Sequence, residues 1–164
     1  MKYYELVIIK GYIDTVGTEE YEFDVIEDVE TKLFSSKEER DLKYDRLVEP
    51  YRKIYNFCNE TKEKLFHGEN APDPRDYAAV DATWDRLHKM QRDFIAKSEI
   101  KNLDWVYVSE NADSARIDVE LKIPDDIPCN NCEKAYEDGC EGCDFSVRPY
   151  YFKFYKIFKK EVEV

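Results

Sequence analysis

The chain has 164 residues, of which 43% are hydrophobic and 15% aromatic, and its formal net charge is −12. This length and composition predict one folded domain, residues 1–164, and exclude a disordered chain or a core that depends on disulfide bonds. The N-terminal apolar run is broken by Glu5 and Lys10, and no segment reaches the roughly eighteen apolar residues of a membrane span, so we expect a cytoplasmic protein.

The negative charge is concentrated in two acidic blocks. Residues 1–30 hold nine acids and two lysines, and residues 104–144 hold twelve acids and three basic residues. The block between them, residues 31–103, is nearly neutral, with fourteen acids and fifteen bases. This distribution disfavours contact with DNA or RNA, whose phosphates need clustered Lys and Arg. It is compatible either with acidic surfaces that contact a basic protein or with acids that only keep the protein in solution.

Two strands are predicted before the first helix. Residues 3–13 are dense in Tyr, Leu, Val and Ile, which is typical of a strand buried on both faces. After a turn at residues 15–20, apolar and acidic side chains alternate over residues 21–26. That period of two predicts a second strand, paired with the first and acidic on one face.

Two helices are predicted next. Ser36 and Glu39 have the spacing of a capping box and begin a long amphipathic helix. Pro50 lies within it and predicts a kink or a division into two consecutive helices. A second helix is predicted with Asp73 as its N-cap and Pro74 at its first position, packed antiparallel to the first.

Three strands are predicted in the rest of the chain. Residues 103–108 and 117–123 alternate around a turn at residues 109–114, and residues 145–160 suit a last long strand with Phe inside and Lys or Tyr outside. The mixture of bases and aromatics in this last segment could also stack nucleotide bases, but alternation explains it more simply. The predicted fold class is α+β: a mainly antiparallel sheet of about five strands, a two-helix layer and a small insertion, residues 124–144, between the last two strands.

The predicted insertion carries four of the five cysteines, in the stretch CNNCEKAYEDGCEGC. Two C-x-x-C pairs can place four thiolates around one tetrahedral ion, so we predict a structural Zn²⁺, one per chain, held by Cys129, Cys132, Cys140 and Cys143. Disulfides are less compatible with a cytoplasmic protein, and the βαβ context of a thioredoxin-like redox motif is missing. Cys58 lies on the apolar stripe of the first helix and is predicted to be a core residue.

No catalytic motif accompanies the cysteines. Four thiolates leave no open position on zinc, and the sequence contains no phosphate-binding loop, nucleophile elbow or zinc-protease motif. A second metal site between the helices would use a set of histidines and carboxylates at helical spacing: Glu63, His67, Asp81, Asp85 and His88. Ordinary ion pairs on solvated helix edges explain the same residues.

A compact acidic scaffold with a four-cysteine cluster and acidic runs over residues 14–30 and 104–144 resembles, in general character, the small phage-encoded anti-CRISPR proteins that inhibit type II CRISPR nucleases. The resemblance implies a protein without catalytic activity that binds the RNA-guided nuclease and blocks the loading or cleavage of target DNA. It carries over no binding residues.

We therefore expect a non-enzymatic acidic binding protein whose partner is basic. The alternatives are a metal-dependent enzyme that uses the helical His, Asp and Glu residues, or a regulatory protein that binds another basic, nucleic-acid-handling partner. No direct contact with nucleic acid or membrane is expected. The partner-binding candidates are exposed acids in the two blocks: Glu19, Glu20, Glu22, Asp125, Asp126 and Glu137.

Overall fold

The computed structural model describes residues 1–15, 21–124 and 148–164. The elements in chain order are β1 (Lys2–Thr15), β2 (Glu22–Phe34), α1 (Lys37–His67), α2 (Tyr77–Ala96), β3 (Leu103–Glu110), β4 (Ser114–Leu121), the one-turn α3 (Arg148–Tyr151) and β5 (Phe152–Glu163). The predicted order of two strands, two helices and three strands is confirmed, and α3 is an addition to it.

The five strands form one sheet in the order β2-β1-β5-β4-β3, and every neighbouring pair is antiparallel. The α+β class with an antiparallel five-stranded sheet and two helices is therefore confirmed. β4 and β5 are neighbours, and the insertion was predicted in the chain between them. Residues 125–147 of that connection, and with them all four predicted zinc ligands, lie outside the described residues.

The main core lies between one face of the sheet and α1. Leu6 and Ile8 of β1 point into it, and alternation along neighbouring strands adds Ile117 of β4 and Ile157 of β5. Val48, Ile54 and Cys58 contribute from α1, so the prediction that Cys58 is a core residue is confirmed. α2 packs against α1, with the rings of Phe57 and Phe94 stacked 3.9 Å apart.

The opposite face of the sheet, which we call the open face, is not covered by α1 or α2. Part of it is buried because the sheet curls: Phe154 of β5 is fully buried there, beneath the side chains of Arg116 and Lys156. Gly11 of β1 makes room for this ring, since a Cβ at position 11 would lie 2.8 Å from the Phe154 ring. The chain thus has a second, smaller apolar centre on the open face.

Both helix starts depend on side-chain caps, but only one was placed correctly. Ser36 caps α1 and accepts a hydrogen bond from the Glu39 amide at 3.2 Å, as predicted. The N-cap of α2 is Asp76, which accepts from the Ala79 amide, so the prediction of Asp73 was wrong. Asp73 instead accepts hydrogen bonds from the backbone and side chain of Arg75 in the turn before the helix.

Pro50 does not divide the first helix. α1 runs for 31 residues from Lys37 to His67 with Pro50 inside it, so the alternative of two consecutive helices was wrong. Proline removes one intrahelical hydrogen bond, but packing of the flanking Val48 and Ile54 into the core stabilises the continuous helix. The predicted kink at Pro50 stays a prediction.

Two predictions about strand faces, those for β1 and β5, were wrong. β1 is buried mainly on its helix side, since Leu6 and Ile8 are buried whereas Val7 and Ile9 are half-buried. In β5, the residues that face the helices are Tyr155 and Ile157, and the phenylalanines lie on the open face. In β2, Glu22 and Asp24 share one face, as predicted for residues 21–26, but a bulge opposite Lys10 and Gly11 reverses the alternation, so Asp28 and Glu30 lie on the other face of the sheet.

Candidate protein-binding face

Of the six acids predicted to bind a partner, the structure describes only Glu22. It is the first residue of β2, is exposed, and pairs in register with Thr15 at the end of β1. Glu19, Glu20, Asp125, Asp126 and Glu137 lie outside the described residues, as do Cys129, Cys132, Cys140 and Cys143. The structure describes the positions that flank these residues.

Those flanking positions meet at one end of the sheet. Thr15 and Glu22 bracket the connection between β1 and β2, and Leu121 and Phe152 end and begin the strands that bracket residues 125–147. Tyr12 pairs with Lys153, and Glu120 pairs with Phe152, so β1, β5 and β4 share this end. We call it the acidic end, because both connections carry most of their charge as Asp and Glu.

A cavity of about 450 Å³ joins the two sides of the acidic end. Thr15 and Glu22 line it from the β1–β2 hairpin, and Glu120 and Phe152 line it from β4 and β5. The curl of the sheet thus brings Thr15 and Glu22 over the open face toward β3 and β4. The described residues that flank two acidic segments about a hundred residues apart in the sequence are therefore neighbours.

Asp24 of β2 fixes this curl. Its carboxylate accepts hydrogen bonds of 2.6 and 2.7 Å from the guanidinium of Arg116 on β4 and lies 3.0 Å from Nζ of Lys156 on β5. The hydrogen bonds from Arg116 lower the pKa of Asp24 to about 2. Arg116 also donates a hydrogen bond of 2.9 Å to Asp118. Burial raises the pKa of the Asp118 carboxyl. Asp24 and Asp118 are thus engaged within the fold.

Another acid of the second acidic block, residues 104–144, also forms contacts within the fold. Glu110, at the far end of β3, accepts hydrogen bonds of 2.6 and 3.0 Å from Arg52 and one of 3.0 Å from the Tyr44 hydroxyl. Arg52 also contacts Glu49 on its own helix. The Arg52 guanidinium holds the pKa of Glu110 below its usual range. This cluster joins α1 to β3 and lies away from the acidic end, so we assign it a structural role.

β2 differs from the other acidic segments because it lies at the edge of the sheet. Within the described residues its outer backbone edge pairs with no other strand. Ile26, Val29 and Leu33 form a stripe on the open face, with 58%, 57% and 66% of their surface exposed. Glu27 lies at the bulge within the stripe, and Asp28 lies on the opposite face of β2, in register with Lys10. Both are exposed and have no ion pair within the described part of the chain. An acidic, partly apolar edge strand is a surface that another extended chain can pair with.

The helical residues do not form a metal centre. Glu63, His67, Asp81, Asp85 and His88 are all described, and the described part of the chain contains no group of three His, Cys, Asp or Glu that could hold a metal ion. The same residues lie on exposed helix surfaces, which fits the solvated helix edges considered from the sequence.

No protein-family model, curated protein or solved structure matches this chain. Within residues 1–15, 21–124 and 148–164, no helix is both long and apolar enough to cross a membrane.

Proposed function

We propose that this chain is a non-enzymatic binding protein that presents its acidic end and the β2 edge to a basic protein partner. The observation that carries the proposal is that described residues beside the two acidic segments lie close together, since Glu22 and Glu120 line the same cavity. Segments far apart in the sequence would then act as one strongly negative surface. Such a surface raises the rate of encounter with a positive partner.

The partner that the anti-CRISPR resemblance implies is a type II CRISPR nuclease. Such a nuclease binds guide and target nucleic acids in positively charged channels. An acidic protein of this size can occupy such a channel and compete with target DNA for loading or cleavage. The proposal includes one structural Zn²⁺ bound by Cys129, Cys132, Cys140 and Cys143, which would hold the connection between β4 and β5 in one shape.

The edge of β2 supports a specific mode of contact. An extended partner segment can add a strand to β2 through main-chain hydrogen bonds, with its apolar side chains over Val29 and Leu33 on the open face and its Lys or Arg beside Asp28 on the other face. A second copy of this chain is a poor match, because two acidic β2 strands would oppose like charges. Charge complementarity therefore favours a basic segment.

The test is binding of the purified chain to purified type II nuclease loaded with guide RNA, followed by DNA cleavage. We expect the triple variants Glu19→Lys, Glu20→Lys, Glu22→Lys and Asp125→Lys, Asp126→Lys, Glu137→Lys each to lower the association rate by about tenfold and to lose inhibition. Binding should also weaken with salt, since the Debye length falls from about 10 Å at 0.1 M to about 3 Å at 1 M.

The matched control is the triple variant Glu60→Lys, Glu63→Lys, Glu69→Lys. These three acids are exposed in the nearly neutral block and change the net charge by the same amount. The proposal is wrong if this control slows association as much as the acidic-end variants do. It is also wrong if neither acidic-end variant has an effect, and the nuclease is the wrong partner if the unaltered chain neither binds it nor inhibits cleavage.

A further inference from the structure

A cleft of about 560 Å³ lies between α1, α2 and β3, on the helix layer and apart from the β2 edge. Both tryptophans of the chain, Trp84 on α2 and Trp105 on β3, line it. Tyr55 and Tyr107 complete the aromatic wall, with ring centres 5.2 Å apart. The volume lies in the usual range for a small-molecule site, and flat aromatic walls favour a flat ligand.

The charge of this cleft is opposite to that of the chain as a whole. Lys62 and Arg92 line it and Asp104 is the one acid among the lining residues. Nζ of Lys62 lies 5.4 Å from the centre of the Trp84 ring, and neither Lys62 nor Arg92 has an ion pair within the described residues. In a protein with a net charge of −12, two cations that line one cleft without an ion pair in the described residues, one of them over an aromatic ring, indicate an anionic group on the ligand.

A buried amide supplies the third feature. Gln91 lines the cleft although only 7% of its surface is exposed. Its Nε2 donates a long hydrogen bond of 3.5 Å to the carbonyl of Cys58, and its Oε1 has no hydrogen-bond partner in the described part of the chain. No fully buried side-chain oxygen in the described residues lacks a hydrogen-bond partner, so this Oε1 is accessible to solvent, and Gln91 lines the cleft. An N–H donor on a ligand in the cleft would provide a partner for it.

We propose that this cleft binds a mononucleotide. The base stacks on the aromatic wall formed by Tyr55, Trp84, Trp105 and Tyr107, and an N–H of its edge donates to Oε1 of Gln91. Lys62 and Arg92 bind the phosphate. A single nucleotide fits better than a nucleic-acid strand, because the net charge of −12 repels a longer polyanion more strongly. The proposal does not depend on the basic protein partner.

Quenching of tryptophan fluorescence tests the proposal directly, because both tryptophans line the cleft. The unaltered chain is titrated with AMP, GMP, CMP and UMP, with correction for nucleotide absorbance. We expect saturable quenching by at least one of them at concentrations up to about 1 mM. The corresponding nucleoside should bind at least about tenfold more weakly, because it lacks the phosphate.

Three variants distinguish this site from non-specific quenching. Lys62→Glu combined with Arg92→Glu changes exposed residues and should weaken binding at least about tenfold, and Gln91→Leu should weaken it as well. Lys89→Glu, an exposed charge on α2 that does not line the cleft, should leave binding unchanged.

The proposal is overturned if no mononucleotide quenches, if nucleoside and nucleotide bind equally, or if the Lys62 and Arg92 double variant binds as the unaltered chain does. A short single-stranded oligonucleotide is the last arm of the test. Tighter binding of that oligonucleotide than of every mononucleotide would assign the cleft to nucleic-acid strands and reject the mononucleotide.

Discussion

The carboxylate of Asp24 on β2 lies 2.6 Å from Nη1 of Arg116 on β4, although β1 and β5 separate these two strands in the sheet. Such a contact is possible only because the sheet curls strongly enough to bring β2 and β4 together over Phe154. The pair closes the small apolar centre on the open face and joins β2 to β4.

Asp24→Asn should destabilise the fold in a pH-dependent way. The folded-state pKa of Asp24, about 2, lies below its ordinary value of 3.8. The ionised carboxylate therefore contributes about 2 kcal/mol, which is fully present above pH 4 and is lost as pH falls through 2. Urea unfolding of both proteins at pH 7 and near pH 2 measures this difference. If the difference in free energy of unfolding is the same at the two pH values, the assigned cause is wrong. Glu27→Gln, at an exposed position, serves as the control.

Gly11→Ala should destabilise the fold by about 1–3 kcal/mol. The new methyl group would lie 2.8 Å from the Phe154 ring and would overlap the carbonyl oxygen of Val25. Both neighbours are held in the sheet, so the strands themselves would have to separate. Thermal unfolding checks the effect, with Ala112→Ser in the exposed β3–β4 turn as the control. An unchanged melting temperature for Gly11→Ala would show that the hairpin yields more easily than its contacts indicate.

Arg52 and Glu110 should show energetic coupling across the contact between α1 and β3. Their side chains are about one quarter exposed, and a double-mutant cycle with alanine at each position should give a coupling of about 1 kcal/mol. Lys2 and Glu161 form a similarly short pair whose side chains are about half exposed, so their coupling should be smaller. Equal coupling in the two cycles would mean that burial does not strengthen the Arg52 contact.

Leu33→Lys should leave the stability within about 0.5 kcal/mol, because 66% of the leucine is already exposed. If the partner lies over the β2 edge, the same change should speed dissociation of the complex by about tenfold. Leu42→Lys on α1 is the matched control, with 52% of the leucine exposed and a position outside β2. Stopped-flow or interferometry traces separate the two variants, and identical dissociation rates would remove β2 from the interface.

The five cysteines should react with an alkylating reagent in two classes. Burial raises the pKa of the Cys58 thiol to about 11, so it should stay unlabelled in the folded protein at pH 8. If zinc is bound, the other four should be protected until a chelator removes the metal. Elemental analysis and intact mass before chelation, after chelation and after denaturation give the metal content and the number of labels. A metal-free protein, or one with the four cysteines cross-linked as disulfides, would reject the zinc prediction.

The sequence predicted the strands and helices well because their signals are local. A dense apolar run identified β1 and alternation identified the other four strands, and the Ser36 cap begins α1 as its spacing indicates. Asp73 and Asp76 have similar local signals, and the choice between them depends on Arg75, whose backbone and side chain occupy Asp73. Local patterns of this kind do not determine which of two neighbouring aspartates caps a helix.

Strand faces were harder to predict, because alternation shows that two faces differ without showing which one the helices cover. In β5 the larger phenylalanines suggested the core side, yet Tyr155 and Ile157 face the helices. The bulge in β2 has no clear sequence signal, so the division of its acids between two faces could not be foreseen. The positions that flank the two acidic connections lie close together because of the strand order and the curl of the sheet. Only long-range packing determines both of these features.

The strand order also has a consequence for how the protein forms during synthesis. The two most central pairings, β1 with β5 and β5 with β4, both need the last strand of the chain. Until that strand leaves the ribosome, the nascent chain can form its N-terminal hairpin and helices but exposes the inner edges of β1 and β4. Such long-range closure is expected to make folding slow, and a chain truncated before Phe152 should aggregate and be recognised by chaperones.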